Sequence, residues 1–402
     1  MVVASTSAGA RRRAQPGPLR LLTAVPICDG HDSAVITINL ELARHGVEVV
    51  YLGYHCAASA IARAAVQEDV HAIGLSSYNG GHRVFFREVL AQLRARGAGD
   101  IPVFGGGGGT ITPADRRAMA RDGVDRIFFP GTPLADIIEE VTGRYPRELT
   151  ANARLRGDRA LGRAITLSEA GARGPAAARR AGAGGKAFVV GVAGPGGAGK
   201  STLIDELTSR FLRRRADGRV AILANDPSHP GSGGAVLGDR VSAIYSQDNR
   251  VFFRSMATRG SLTGLSAAAP AAIASLRAGG EFDLVFVESV GIGQDGDPFG
   301  AFGRGPRLAD AVLFVLAPHY GGRIQLQKIA MLNGADLVAL NKCDDPMAHT
   351  ARAEVVARLA SNGRDQLLHA TVAARHHDAG VDQLYTAIAQ LAGLEPVVSL
   401  AR

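Results

Sequence analysis

AFVVGVAGPGGAGKSTLID, residues 187–205, decides the reading of this chain. An apolar run, AFVVGVA, leads into GPGGAGKST and then into residues that favour a helix, which is the strand, loop, helix setting that the pattern G-x-x-x-x-G-K-[ST] requires. Gly194, Gly197 and Gly199 have no Cβ, so the loop can curl until successive backbone N–H groups point at a di- or triphosphate. Lys200 then meets the β and γ phosphates, Ser201 holds Mg²⁺, and Thr202 continues the first turn of the phosphate-binding helix. The same spacing in a flexible glycine loop would have no reason to follow a strand and open a helix.

Outward from this loop, the carboxyl-terminal half alternates strands and helices: VAILAND, FDLVFVES, AVLFVLAP and ADLVALNK read as buried parallel strands. LANDPSHPGSGGAVLGD places Asp226 and Asp239 as candidate Mg²⁺ carboxylates, since a hard octahedral cation needs oxygen ligands beside the phosphates and Ser201. FDLVFVES ends in Glu288 and Ser289 before a glycine loop, where a γ-phosphate sensor would contact metal or water. The competing reading of Glu288 is a solvated residue at a strand end. ADLVALNKCD ends in Asn341, Lys342, Cys343 and Asp344, an N-K-x-D arrangement. The Asp344 carboxylate can accept hydrogen bonds from guanine N1–H and its exocyclic amine, which adenine cannot supply, so GTP is expected over ATP.

The amino-terminal half shows the same alternation. LRLLTAVPI, VEVVYLG, HAIGLSS, IPVFGG and RIFFP read as strands, with helices from Ala34, Ala57, Val84 and Pro113. The expected fold class is therefore α/β, with two doubly wound domains built on parallel sheets. Ligands then sit beyond the carboxyl ends of the strands, where DGHDS, SSYNGGH and GGGGGT fall. The division places a tail over 1–18, a first domain over 19–145, a helical and low-complexity linker over 146–186 and a second domain over 187–402.

Composition narrows the function classes. The 402 residues are 46% hydrophobic and 20% charged, enough for more than one core. The formal charge is +8, but residues 144–186 alone carry ten basic and three acidic side chains, so the excess sits mainly in the connector. Aromatics make up 5% with no Trp, which argues against stacking on nucleic acid. Cys28, Cys56 and Cys343 have unrelated spacings, form no disulfide framework and read as buried small apolar residues, in keeping with a cytoplasmic protein. No signal-peptide core or membrane span is legible.

GDRALGRAITLSEAG, GPGGAGKST, DPSHPGSGGAVLGDR, ESVGIGQ and QLQKIAMLNGADLVALNKCD, in this order over about 152–395, resemble the GTPase chaperones of adenosylcobalamin-dependent acyl-CoA mutases, the MeaB group. Residues 29–132 resemble the flavodoxin-like cobalamin-binding domain of methylmalonyl- and isobutyryl-CoA mutases. That resemblance implies that the D-x-H-x-x-G loop, here Asp29, Gly30 and His31, supplies the lower axial ligand to cobalt from His31, with Asp29 as its carboxylate partner. Ser76 to Tyr78, Gly108, Gly109 and FPGT at 129–132 match loops around the nucleotide tail of the cofactor. DGHDSA, SSYNGGH and FGGGGGTI look most like the fused isobutyryl-CoA mutase type.

The chain departs from these patterns at Ala34, where Gly is usual, at Tyr78, where Leu is usual, at Ser242, where Arg is expected after GDR, and in DGDPFGAFGRGP after ESVGIGQ. The resemblance implies adenosylcobalamin, GTP and Mg²⁺ as cofactors and an acyl-CoA mutase large subunit in trans as partner. A cobalamin adenosyltransferase and a second copy of the chain are further candidate partners. The chain stops at Arg402 without a stretch resembling the mutase barrel, so GTP hydrolysis is expected of it and acyl-CoA isomerisation is not. The competing expectation is a cobalamin-sensing module with a weak GTPase domain. A P-loop kinase and a nickel-insertion GTPase are disfavoured by Asp344 and by the lack of a His-rich tract.

Overall fold

The computed structural model describes residues 17–27, 29, 33–145, 152–171, 187–291, 297–301, 306–320, 331–361 and 366–394. The first half runs β1 (Arg20–Ala24), α1 (Ser33–Arg44), β2 (Glu48–Tyr51), α2 (Ala58–Gln67), β3 (Ala72–Ser76), α3 (His82–Ala95), β4 (Val103–Gly106), α4 (Pro113–Asp122), β5 (Arg126–Phe128) and α5 (Leu134–Arg144). Its strands lie in the order β5-β4-β3-β1-β2, all parallel, with the order reversing between β1 and β3. This is the flavodoxin-like order, and it puts a ligand crevice at the carboxyl ends of β1 and β3. β1 is buried along its whole length, because helices cover both faces of the sheet.

The second half contains β6 (Phe188–Ala193), α7 (Lys200–Arg214), β7 (Val220–Asp226), β8 (Ala235–Leu237), α8 (Asp239–Ser242), β9 (Val251–Ala257), α9 (Ala269–Ala278), β10 (Leu284–Glu288), β11 (Ala311–Leu316), α10 (Met331–Gly334), β12 (Leu337–Leu340), α11 (Ala348–Ser361), β13 (Leu368–Ala370) and α12 (Ala379–Leu391). Seven of these strands form a parallel sheet in the order β13-β12-β11-β6-β10-β7-β9, so the phosphate-loop strand β6 is central. Two apolar layers pack on its opposite faces, one around Phe252, Phe282 and Phe299 and their neighbours under α9, the other, which includes Phe286, under α7 and α12.

Strands β8, β9 and β13 are absent from the sequence reading. β8 is the informative omission: it lies within the second half yet pairs in parallel with β2, Glu48 opposite Ala235 and Val50 opposite Leu237, as the sixth strand of the first sheet. Gly234 allows this approach, since a Cβ there would lie 2.2 Å from the Ala43 carbonyl oxygen. The chain thus leaves β7, borrows an edge of the other sheet, and returns as β9 beside β7.

Between the halves, α6 (Gly157–Glu169) occupies part of the stretch read as linker. Asp158 accepts from Gln67 on one side and Arg219 on the other, and Arg163 pairs with Asp69. The junction is closed by a buried network in which Glu68 meets Arg20 and Arg240, Glu48 meets Arg20 and Arg259, and Glu169 meets Arg254. Two of the three cysteines are described, and both differ from the expectation: Cys56 and Cys343 are half-buried free thiols, each donating to a backbone carbonyl of the preceding turn.

Candidate functional site

β6 ends at Ala193 and the loop turns sharply. Gly194, Gly197 and Gly199 have φ of 153°, 75° and 87°, and only the last two fall well inside the left-handed region where a side chain would strain the backbone. Gly194 is required for another reason, because a Cβ there would lie 2.2 Å from the Val315 carbonyl oxygen of β11. Lys200 opens α7 and its Nζ donates to the carbonyls of Gly194 (3.2 Å) and Pro195 (3.3 Å), holding the loop around its own ammonium. Burial lowers the Lys200 pKa, while the Glu288 and Asp239 charges oppose the shift. Ser201 follows at the helix start and donates to Glu288 Oε1 at 2.8 Å, and Thr202 is exposed on the same turn.

Glu288 is buried at the end of β10, which removes its reading as a solvated residue. Burial, and then the Asp239 charge, pushes its carboxyl up to about 7, against the pull of Lys200 and Ser201. Asp226 ends β7 and is pushed up to about 8 by burial and by Asp239 and Glu288, with the backbone amides of Asp239 and Gly238 opposing. Asp239 opens α8 and is raised by burial. Three carboxylates that disfavour one another's charge thus gather around the lysine and hydroxyl of the phosphate loop. Asp226 Oδ2 and Ser289 Oγ are buried with no hydrogen-bond partner among the described residues. An oxygen-seeking cation would satisfy such a set. No three His, Cys, Asp or Glu side chains among the described residues form a metal-holding group by themselves.

Asn341, Lys342 and Asp344 follow β12. Asn341 is buried and acts as a tie: Nδ2 donates to the Ala198 carbonyl of the phosphate loop (3.0 Å), and Oδ1 accepts from Thr371 Oγ1 (3.1 Å) and Ala373 N–H (3.0 Å). Lys342 has φ of 60° and its stem reaches toward Gly199. Asp344 is exposed. Three supporting residues escaped the sequence reading. Thr371, after β13, could have been found from LHATVAA, a short strand ending in small residues. Asn225 fixes the Glu288 carbonyl and the Ser266 N–H. Gly291 backs onto the phosphate loop, where a Cβ would come within 2.6 Å of the Gly196 nitrogen.

The other crevice lies beyond β1, β3 and β4, as the strand order requires. A cavity of about 310 Å³ opens there, lined by Thr23, Val35, Ser76, Tyr78, Phe104 and the Gly105–Gly107 run, among others. The glycines let the strands close on one another: a Cβ at Gly105 would lie 2.3 Å from the Leu75 carbonyl oxygen, and one at Gly107 1.6 Å from that of Ser77. Gly108 makes room for the Tyr78 ring, 2.2 Å from a Cβ placed there, and Gly109 has open space. Tyr78 therefore stands at the cavity rim, where the family pattern has an aliphatic residue. Asp29 is buried in the loop after β1 and accepts the Tyr78 N–H, which joins the β1 and β3 loops. Thr23 Oγ1, on the cavity wall, is buried with no hydrogen-bond partner among the described residues. A mostly apolar cavity with one unsatisfied hydroxyl fits the aromatic and polar tail of a cobalamin. Gly30 and His31 lie outside the described residues.

Residues 161–395 match the family described as Methylmalonyl Co-A mutase-associated GTPase MeaB, and residues 19–138 match the B12 binding domain. The fused isobutyryl-CoA mutase of Cupriavidus metallidurans is 38% identical over 408 residues, covering 95% of this chain and 37% of that protein. The fused isobutyryl-CoA mutase of Nocardia farcinica is 39% identical over 401 residues, covering 94% of this chain and 36% of that protein. The methylmalonic aciduria type A homolog of Mus musculus is 36% identical over 166 residues, covering 41% of this chain and 38% of that protein. The chain thus spans little more than a third of the length of the fused mutases. With the GTPase match extending over more than half of its residues, the chain belongs to the MeaB family of mutase-associated GTPases, with a B12-binding domain joined ahead of the GTPase.

Proposed function

We propose that the chain binds adenosylcobalamin in its first half and binds and hydrolyses GTP with Mg²⁺ in its second, in the service of a separate acyl-CoA mutase subunit of the isobutyryl- or methylmalonyl-CoA type, in the cytoplasm. The observation that carries the GTPase part is the hydrogen bond from Ser201 to Glu288 at 2.8 Å, with Asp226 and Asp239 beside it at the mouth of the phosphate loop. Ser201, Asp226, Asp239, Glu288 and Ser289 would hold the cation, which supplies charge neutralisation at the transferring phosphate. Lys200 would leave the loop carbonyls for the β and γ phosphates. Asn341, Lys342 and Asp344 would select guanine, with Asn341 keeping that loop in register with the phosphate loop.

In the first half, His31 would supply the protein ligand to cobalt, with Asp29 as its carboxylate partner, and Thr23, Ser76, Tyr78 and the Gly105–Gly109 run would hold the nucleotide tail of the cofactor. The hydrogen bond from Tyr78 N–H to Asp29 supports this reading, because it holds the carboxylate in the loop after β1, beside the cavity. The test is an adenosylcobalamin titration followed by absorbance, comparing wild type with His31→Ala. A base-off spectrum that depends on His31 is expected, and identical spectra from the two proteins would overturn the axial assignment. Phosphate release in the presence of Mg²⁺ and GTP, lost in Lys200→Ala, tests the GTPase half.

A further inference from the structure

Asp226 and Asp239 bracket the excursion that carries β8, so the segment joining two candidate Mg²⁺ carboxylates is also the sixth strand of the cobalamin-domain sheet. The anchoring is specific. Ser232 Oγ donates to the Ala43 carbonyl at 2.7 Å, and Ala235 N–H donates to the Val47 carbonyl at 3.1 Å. Val50, Ala235, Leu237 and Ala257 then form a small apolar cluster of their own. Immediately after Asp239 comes Arg240, whose guanidinium is buried although it neighbours a residue of the nucleotide site.

Arg240 reaches across the junction. Its Nη2 donates to Gln67 Oε1 at 2.7 Å and its Nη1 to Glu68 Oε1 at 3.2 Å, both at the carboxyl end of α2 in the first half, and Nη1 also meets the Phe253 carbonyl of β9 at 3.0 Å. The guanidinium lies over the Phe253 ring, 5.2 Å from its centroid. Ser242, standing where the family pattern has Arg, closes this short helix on itself by donating to the Asp239 carbonyl at 2.9 Å. α2 in turn begins just after Cys56, whose N–H bonds the Val25 carbonyl at the end of β1, the strand that leads into the Asp29 loop. The planar fork meets an amide oxygen, a carboxylate and a carbonyl in fixed directions, whereas an ammonium on a flexible stem is less pre-organised to hold all three.

We propose that Arg240 is a positioning residue for the GTPase reaction, fixing Asp239 against Gln67 and Glu68 of the cobalamin domain, so that the Mg²⁺ side of the nucleotide site is built partly from the other half of the chain. This rests on the reading of Asp239 as a residue of the Mg²⁺·GTP site. Its consequence is that α2 and β2 feel any movement of the segment 226–240, and that the nucleotide site feels the cobalamin domain in return, since coupling between two sites is reciprocal.

The experiment uses the full chain and compares wild type, Arg240→Lys, Arg240→Ala and Gln67→Ala for GTP hydrolysis across a Mg²⁺ titration. Nucleotide binding without Mg²⁺ and thermal melting are followed in parallel. Gln67 makes none of its hydrogen bonds to the phosphate loop, to the three carboxylates or to the N-K-x-D loop. A role through Arg240 therefore predicts that Gln67→Ala raises the Mg²⁺ concentration for half-maximal hydrolysis several-fold, while Mg²⁺-free nucleotide binding stays as in wild type. Arg240→Ala is expected to raise it about tenfold or more, and Arg240→Lys to fall between. Combining Gln67→Ala with Arg240→Ala should add little to Arg240→Ala alone, because the two act through one contact. Wild-type Mg²⁺ dependence in Gln67→Ala and Arg240→Lys, both folded, would overturn the proposal, as would full additivity. If Arg240→Ala does not fold, Gln67→Ala and Arg240→Lys decide. Absence of Mg²⁺-dependent hydrolysis in wild type would instead sink the GTPase reading itself, and Mg²⁺-dependent hydrolysis in wild type that is unchanged in the variants would leave that reading standing.

Discussion

Glu68 is the place to test whether the two halves are one folding unit. Its carboxylate is fully buried and accepts from Arg20 Nη1 (3.0 Å), Arg240 Nη1 (3.2 Å), Ser255 N–H (3.1 Å) and Ser255 Oγ (3.2 Å), partners drawn from β1 of the first half and from α8 and β9 of the second. Removing one partner of a buried ion pair costs about 3–5 kcal/mol, because the other charge stays buried and uncompensated. In Glu68→Gln an acceptor oxygen remains for Ser255 and Arg20 keeps Glu48, but the buried guanidinium of Arg240 loses the carboxylate it pairs with. The loss is expected at about 3 kcal/mol, roughly a hundredfold in the folding equilibrium. Glu68→Ala should cost more, since the Ser255 N–H also loses its acceptor, a further ~1–3 kcal/mol. The assay is urea unfolding followed by far-UV circular dichroism and by tyrosine fluorescence. With the junction weakened, the wild-type transition should move to lower urea and broaden or split as the halves part company. A midpoint and slope unchanged from wild type in Glu68→Gln would refute the reasoning, because the network would then contribute no more than an exposed ion pair.

Further predictions follow from the sites themselves. Asp344→Asn replaces the acceptor for guanine N1–H and the exocyclic amine, and competition binding should show the preference for GTP over ATP reduced by about a hundredfold. Gly107→Ala places a Cβ 1.6 Å from the Ser77 carbonyl oxygen, so β3 and β4 must separate at the cavity rim; loss of cobalamin binding with retained GTP binding is the expected pair of results from parallel titrations. In Mg²⁺-free buffer the folded-state pKa values of about 8 for Asp226 and about 7 for Glu288 lie above the ordinary carboxylate range. The folded protein therefore holds protons that the unfolded chain releases, and the stability so gained is full below about pH 4 and lost as pH rises through 7 to 8. Melting temperatures over that range should fall with EDTA and stay flatter with Mg²⁺ and nucleotide; a melting temperature that rises with pH in EDTA would contradict the clustering of the three carboxylates.

What was legible in the sequence, and what was not, divides along a physical line. The two sheets, the phosphate loop, the end-of-strand carboxylates and the N-K-x-D turn were visible because each is local: a buried parallel strand is a continuous apolar run, and the loop that follows it carries its chemistry within a few residues. β8 was invisible because AVL is too short to declare itself and its partner, Glu48 to Val50, is almost two hundred residues away. The buried network escaped for the same reason. Arg20, Glu48, Glu68 and Arg240 are ordinary charged residues in separate elements, and nothing about any one of them announces that it is buried. A charge can be buried only where several others converge on it, so the burial of Arg240 is a statement about β1, β2, α2 and β9 together. The same convergence explains why the segment between Asp226 and Asp239 is the part of the GTPase half most dependent on the rest of the chain. In a free GTPase domain, β8 would be an unpaired edge of three residues, too short to hold itself, and Arg240 would face water in place of Gln67 and Glu68. The placement of Asp239 beside Asp226 and Glu288 thus depends on the join between the domains, through Arg240, as well as on the phosphate loop.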